Sequence, residues 1–186
     1  MDGDDISLPN RLETQVKAVT QFNLDLVGSW AYIINEVGLT VGKLTPPTDA
    51  QSIRRTIMLY NPFIHSTMLF KRSILERSGC YNKVLFGAED YDLWLRIISL
   101  GYGYANLPDY LIFSRQTCNS VMRGKEWKKT RVNSTRAKAL GLTRLGYHDP
   151  LSLIFCFVSP FSLIVLPKMA SRVTFLFQSF SNILHY

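Results

Sequence analysis

With 186 residues, 47% hydrophobic and 12% aromatic content, the chain has the apolar mass of one ordinary domain with an appendage, which excludes a disordered segment. A net charge of +7 and a pI near 9.4 direct it toward an anionic partner: a phosphate, an acidic lipid or a nucleic acid. Cys80, Cys118 and Cys156 are odd in number and far apart, which leaves no zinc or redox spacing, argues against a disulfide framework and fits a reducing cytosol.

The chain opens Met1-Asp2-Gly3-Asp4-Asp5-Ile6-Ser7-Leu8-Pro9. Carboxylates this close repel one another, and a cluster of them expects a cation. On an extended segment Asp2 and Asp4 would point to one face, which suits Mg²⁺ or Mn²⁺ with waters and a phosphate as the other ligands. An acidic tail that merely caps the next helix has the same composition. An acidic start is also unlike a secretory signal, which is basic and then apolar.

Ser7 reads as the cap of a helix near 8–21, with Pro9 in its first turn and Leu12, Val16 and Val19 as its buried stripe. Leu26–Ile34 reads as a strand, 35–38 as a turn, and Leu39–Gly42 as the returning arm of a hairpin. Thr48 or Asp49 caps a helix that runs to about Tyr60 and stops at Asn61-Pro62. His65–Phe70 reads as a strand and Ser73–Ser78 as a short helix closed by Gly79. Glu89–Ile98 reads as a helix with Leu93, Trp94, Ile97 and Ile98 buried. It ends at Gly101. Tyr104–Pro108 and Tyr110–Arg115 read as short strands.

A basic helix follows from about Asn119 to Leu140. Arg123, Lys125, Lys128, Lys129, Arg131, Arg136, Lys138 and Arg144 crowd this region against Glu126 alone. No regular aromatic interleaving of the kind used for base stacking occurs there, so nucleic acid is not an expected partner. Leu151–Leu166 is uncharged, shorter than the roughly 20 apolar residues of a span, and interrupted by Pro160. With Lys168 and Arg172 before a second apolar stretch, Val173–Phe177, it reads as an interfacial or re-entrant segment on an anionic leaflet. A pair of core helices packed on the domain is the other reading.

Two acidic centres remain: Asp2, Asp4 and Asp5, and Glu89, Asp90 and Asp92. The second opens a helix, where negative side chains complement the positive end by about 0.3–1 kcal/mol each. That alone is a structural role. Together the two centres fit a reaction in which one holds a metal on a leaving diphosphate and the other takes a proton from a hydroxyl.

At this point the chain resembles family 2 glycosyltransferases of the GT-A fold. Met1–Glu13 is similar to their (L/M)DxDDxxxPxRLE segment. The hairpin from Trp30 to Gly42, the run Asn61–Arg72, Ala88-Glu89-Asp90-Tyr91-Asp92-Leu93-Trp94-Leu95-Arg96, and Asn106–Arg115 continue the match in order over roughly residues 1–120. The resemblance implies that Asp2 and Asp4 hold Mg²⁺ or Mn²⁺ on a nucleotide-sugar donor, with Asp4 the closer ligand. It implies that Asp5 orients the ribose or the ion's waters. Asp90 would be the general base for the acceptor hydroxyl, and Glu89 would position acceptor or donor sugar. His65 and Arg115 are candidate substrate-binding residues, Arg115 through a phosphate. Trp94 and Arg96 read as structural, a core aromatic and a helix-surface charge.

The expected fold class is therefore α/β: the C-terminal portion of a GT-A, Rossmann-like domain with a hydrophobic helical tail. Residues 1–120 form the domain portion, 121–149 a basic helical segment, and 150–186 a membrane-associating tail. The expected reaction is inverting, metal-dependent sugar transfer to a lipid-linked or surface glycan at the cytoplasmic membrane face. The family carries a nucleotide-binding half ahead of its DxD segment, whereas here that segment starts at residue 2. A fragment lacking this half is the expectation, binding nucleotide poorly and inactive alone. A non-catalytic remnant or membrane-bound accessory module is the alternative.

Overall fold

A computed structural model describes residues 1–116 and 127–146. The expected basic helix's residues before 127, Cys118, Cys156 and the apolar tail fall outside these residues. The described chain is mixed α/β. Its elements are β1 (Ile6–Ser7), α1 (Arg11–Gln21), β2 (Leu26–Ile34), β3 (Thr40–Leu44), α2 (Ala50–Thr56), β4 (Leu69–Phe70), α3 (Ser73–Ser78), α4 (Glu89–Ser99), β5 (Tyr104–Arg115) and α5 (Trp127–Leu145).

One sheet of order β1-β5-β2-β3 organises the fold, with β4 paired to the start of β2. β2 and β5 run parallel, from Leu26 opposite Tyr104 to Ile34 opposite Arg115. A parallel pair needs a long crossover, and here it carries α2, β4, α3 and α4. β5 is one strand, not two. The ladder shifts register around Trp30, so the break between the two expected strands is absorbed as an irregularity within a single element.

The core lies between this sheet and α4. Leu93, Trp94, Leu95 and Ile97 are fully buried with Leu26, Ile53, Ile57 and Ile74. α5 joins the same core through Ala137, Leu142 and Leu145. Its basic residues are partly consumed in this packing. Lys138 Nζ donates to the carbonyl of Leu59 at 2.7 Å, and Arg144 donates to Asp92 at 3.0 Å. Gly87 allows the approach: its φ is +77°, and a Cβ there would sit 2.4 Å from Thr130 Oγ1.

Several local expectations are corrected. Ser7 lies in β1 and caps nothing; α1 starts at Arg11 after Asn10. α2 is capped by Asp49, whose Oδ1 accepts from the Ser52 amide at 2.8 Å, but it ends at Thr56 and turns through Tyr60. His65–Thr67 is a 3₁₀ turn, and only Leu69–Phe70 is strand. Gly3 and Asp4 form a turn, so Asp2 and Asp4 are not on an extended segment.

The largest correction concerns α1. Leu12 and Val16 are 59% and 54% exposed, and the buried face is Arg11, Gln15 and Ala18. Gln15 carries the reason. Its Nε2 donates to the carbonyls of Thr67 (2.7 Å) and Val27 (3.3 Å), and its Oε1 accepts from Arg11 Nε (3.0 Å). Small Ala18 packs on Val27, Leu107 and Leu111. Both faces repeat at helical spacing, so periodicity could not say which one meets the sheet.

Candidate active site

Asp90 is the second residue of α4. Its Oδ2 accepts from Asn61 Nδ2 at 3.0 Å and faces His65 Nδ1 at 3.6 Å, while Oδ1 accepts from the Tyr91 amide at 2.6 Å. Two elements aim the carboxylate: the loop after α2 supplies Asn61, and the 3₁₀ turn supplies His65. That loop is fixed from below by buried Asn106, whose Nδ2 donates to the carbonyls of Pro47 (2.8 Å) and Pro62 (3.0 Å).

His65 stacks on Tyr81, with centroids 5.8 Å apart and planes 14° apart, and meets Trp94 edge-on at 6.4 Å. Its pKa is raised, first by the hydrogen-bonding contact to Asp90, against the opposing effect of burial, with the charges of Asp90 and Asp2 adding to the rise. Tyr81 is also raised, first by burial and then by the charges of Asp90, Glu89 and Asp2. Asp2 from the N-terminal turn and Glu89 and Asp90 from α4 thus act on the same phenol. One Glu89 oxygen, Oε2, is buried without a hydrogen-bond partner among the described residues.

The structure sets His65 against Asp90, the neighbour of Glu89 at the start of α4, while Asp2 acts on His65 and Tyr81 through its charge. Asp4 lies one turn residue further, exposed, and neither Asp2 nor Asp4 accepts a side-chain hydrogen bond from a described residue. Asp5 and Arg115 meet each other instead. Asp5 Oδ1 accepts from the Arg115 amide at 2.7 Å, and the Arg115 guanidinium bonds carbonyls of Asp4, Asn35 and Glu36. Among the described residues no three His, Cys, Asp or Glu side chains gather as a metal cluster. Two exposed carboxylates with no side-chain partner among the described residues offer hard oxygen donors, of the kind that suits an ion keeping most of its waters.

Asp92 does not belong to the acidic centre. It is 1% exposed and holds Arg96 at 2.9 Å and Arg144 at 3.0 Å, an ion pair network inside the α4–α5 packing. Arg96 is a structural residue, as expected, but not a surface charge. It bonds the carbonyls of Ser78, Gly79 and Cys80 and so fixes the loop that leads to Tyr81. Asn61 and Tyr81 were not singled out from the sequence. Each touches the site across more than a dozen residues of chain, a relationship with no local signature.

No protein-family model matches the chain. Among curated proteins it is similar to the amylovoran biosynthesis glycosyltransferase AmsE of Erwinia amylovora, 36% identical over 79% of this chain and 55% of that protein. It is 32% identical to an uncharacterized glycosyltransferase of Haemophilus influenzae, over 97% of this chain and 66% of the relative. It is 40% identical to the O-antigen biosynthesis glycosyltransferase WbnJ of Escherichia coli, over 53% of this chain and 38% of the relative. The chain thus spans between about two fifths and two thirds of the length of these relatives. Over most of its length, the chain is a homologue of bacterial glycosyltransferases.

Proposed function

We propose that this chain carries the metal and acceptor side of an inverting glycosyltransferase, which moves a sugar from a nucleotide-sugar donor to a hydroxyl of a lipid-linked or surface glycan. The mixed sheet with its long β2–β5 crossover fits the C-terminal part of a GT-A, Rossmann-like domain. The observation that carries the reading is the Asp90 carboxylate in the first turn of α4, held by Asn61 at 3.0 Å and faced by His65 at 3.6 Å, with the charge of Asp2 acting on the same imidazole. The relatives named for amylovoran and O-antigen biosynthesis support a polysaccharide acceptor.

Asp2 and Asp4 would hold Mg²⁺ or Mn²⁺. When bound, such an ion neutralises as a Lewis acid the charge that builds on a departing diphosphate. The other steps belong to the side chains. The acceptor hydroxyl gives its proton to Asp90 as its oxygen bonds to the anomeric carbon. The bond from that carbon to the diphosphate oxygen breaks, and its electron pair leaves with the nucleoside diphosphate. A single displacement inverts the anomeric centre. Asn61 and His65 keep the Asp90 carboxylate in one orientation, which is the geometric requirement on a base. Glu89, with one oxygen unsatisfied, is suited to accept a hydrogen bond from a sugar hydroxyl.

The test is transfer of label from nucleotide sugars to lipid-extractable acceptors by membranes of cells expressing the complete gene. Asp90→Asn is expected to lower transfer by about 10²–10⁴-fold. Asp4→Ala is expected to remove the response to added Mn²⁺. Wild-type rates in both variants would overturn the reading. Action at a cytoplasmic membrane face rests on the uncharged run 151–166 and its neighbours Lys168 and Arg172. Among the described residues, no helix is long and apolar enough to cross a membrane. Removal of residues 150–186 should release the chain from membranes, and a truncated chain that stays with the membrane pellet would refute that attachment.

A further inference from the structure

We propose that Arg115 is the positioning residue of the acidic N-terminal turn, and that it sets the affinity of Asp2 and Asp4 for a divalent cation without touching the ion. The proposal rests on the cation-site reading above, and its test separates the two. Arg115 ends β5 and reaches two other segments at once. Its Nε donates to the Asp4 carbonyl at 3.1 Å, and one terminal nitrogen donates to the carbonyls of Asn35 (2.9 Å) and Glu36 (3.0 Å). Its own amide donates to Asp5 Oδ1 at 2.7 Å. Asp4 is therefore held through its own carbonyl and through the carboxylate of the next residue.

The hairpin end of this clamp is itself ordered. Asn35 Oδ1 accepts from the amides of Val37 (3.2 Å) and Leu39 (2.9 Å), and the Asn35 carbonyl also accepts from the Gly38 amide at 3.0 Å. The Gln116 amide donates to the Ile34 carbonyl at 2.9 Å, which ties the end of β5 to the end of β2. By contrast, the turn that carries Asp2 and Asp4 has one internal backbone bond, from the Asp5 amide to the Asp2 carbonyl, at a long 3.4 Å. Two carboxylates in so short a turn repel each other. A turn held only by that bond would open, and a cation would have to order it again on binding.

The planar guanidinium is suited to three carbonyls in a fixed fan. An ammonium at this position keeps the charge but not the fork. Nε and one terminal nitrogen already point at main-chain carbonyls, so this part of the guanidinium is committed to the turn and the hairpin.

The test uses the full chain and two readouts: binding of Mn²⁺, followed by the electron paramagnetic resonance of the free ion, and hydrogen exchange of residues 1–8 without metal. Arg115→Lys is expected to weaken Mn²⁺ binding about tenfold, the usual scale for residues that orient metal ligands. It is also expected to speed exchange in 1–8 and to leave β2 protected. Asn35→Ala, which keeps Arg115 but loosens the hairpin turn, should act in the same direction and more weakly. Wild-type Mn²⁺ affinity in Arg115→Lys overturns the proposal. So does loss of metal-free pyrophosphate binding with unchanged exchange, which would make Arg115 an anion ligand. A wild-type chain that binds no Mn²⁺ overturns the cation site and the affinity claim with it, while exchange still decides whether Arg115 orders the turn.

Discussion

His65 Nδ1 and Asp90 Oδ2 stand 3.6 Å apart, joining a 3₁₀ turn to the first turn of α4. Neither residue has a local reason to meet the other. Gln15 ties the 3₁₀ turn to α1, and Asn106 ties the loop before it to the sheet.

This pair predicts a pH dependence of stability. The His65 pKa is raised in the folded state, chiefly by the contact to Asp90. A raised value means that protonation favours folding. The contribution is complete below the unfolded imidazole pKa of about 6.5 and is lost as pH rises through the higher folded value. The melting temperature of wild type should therefore exceed that of His65→Gln at pH 5.5, and the gap should shrink by pH 8.5. A gap that widens with pH would contradict the assigned charge state.

The inverted α1 predicts an unusual substitution pattern. Gln15→Leu puts an apolar residue on a buried face but strands the carbonyls of Val27 and Thr67 and the Nε of Arg11. It should cost about 1–3 kcal/mol. Leu12→Glu places a charge on a residue that is 59% exposed and should change stability by less than about 0.5 kcal/mol. Urea denaturation of the two variants checks the order.

Asp92 predicts a stability defect. Its side chain is 2% exposed between Arg96 and Arg144. Asp92→Ala leaves two arginines without their shared anion and should cost about 3–5 kcal/mol, the usual loss when one partner of a buried pair is removed. Thermal unfolding measures it. A loss below about 1 kcal/mol would show that the network is solvated.

Gly28 couples the sheet to the site. A Cβ there would sit 2.1 Å from Asn106 Oδ1 and 2.9 Å from Met68 Sδ. Gly28→Ala should cost about 1–3 kcal/mol through overpacking. By displacing Asn106 from the Pro62 carbonyl, next to the Asn61 that holds Asp90, it should also lower transfer. Unchanged melting with unchanged transfer would mean that Asn106 does not anchor this loop.

What could be read without coordinates was local or carried by motif. The spans of β2, α3 and α4 follow from runs whose period and end signals agree, Gly79 after α3 among them. The acidic turn and the acidic helix start could each be picked out because both are short motifs of like charge. What needed the tertiary structure was direction and partnership. Arg11 and Gln15 face inward because two carbonyls of other elements await a donor there, and helical period is blind to which side meets the sheet. Asp92 and Asp90 lie two residues apart on one helix, yet one is sealed against two arginines and the other faces an imidazole. The roughly 100° between successive helical residues separates their surroundings. Which surrounding each receives depends on α5 and on the 3₁₀ turn, elements far along the chain that only folding brings near.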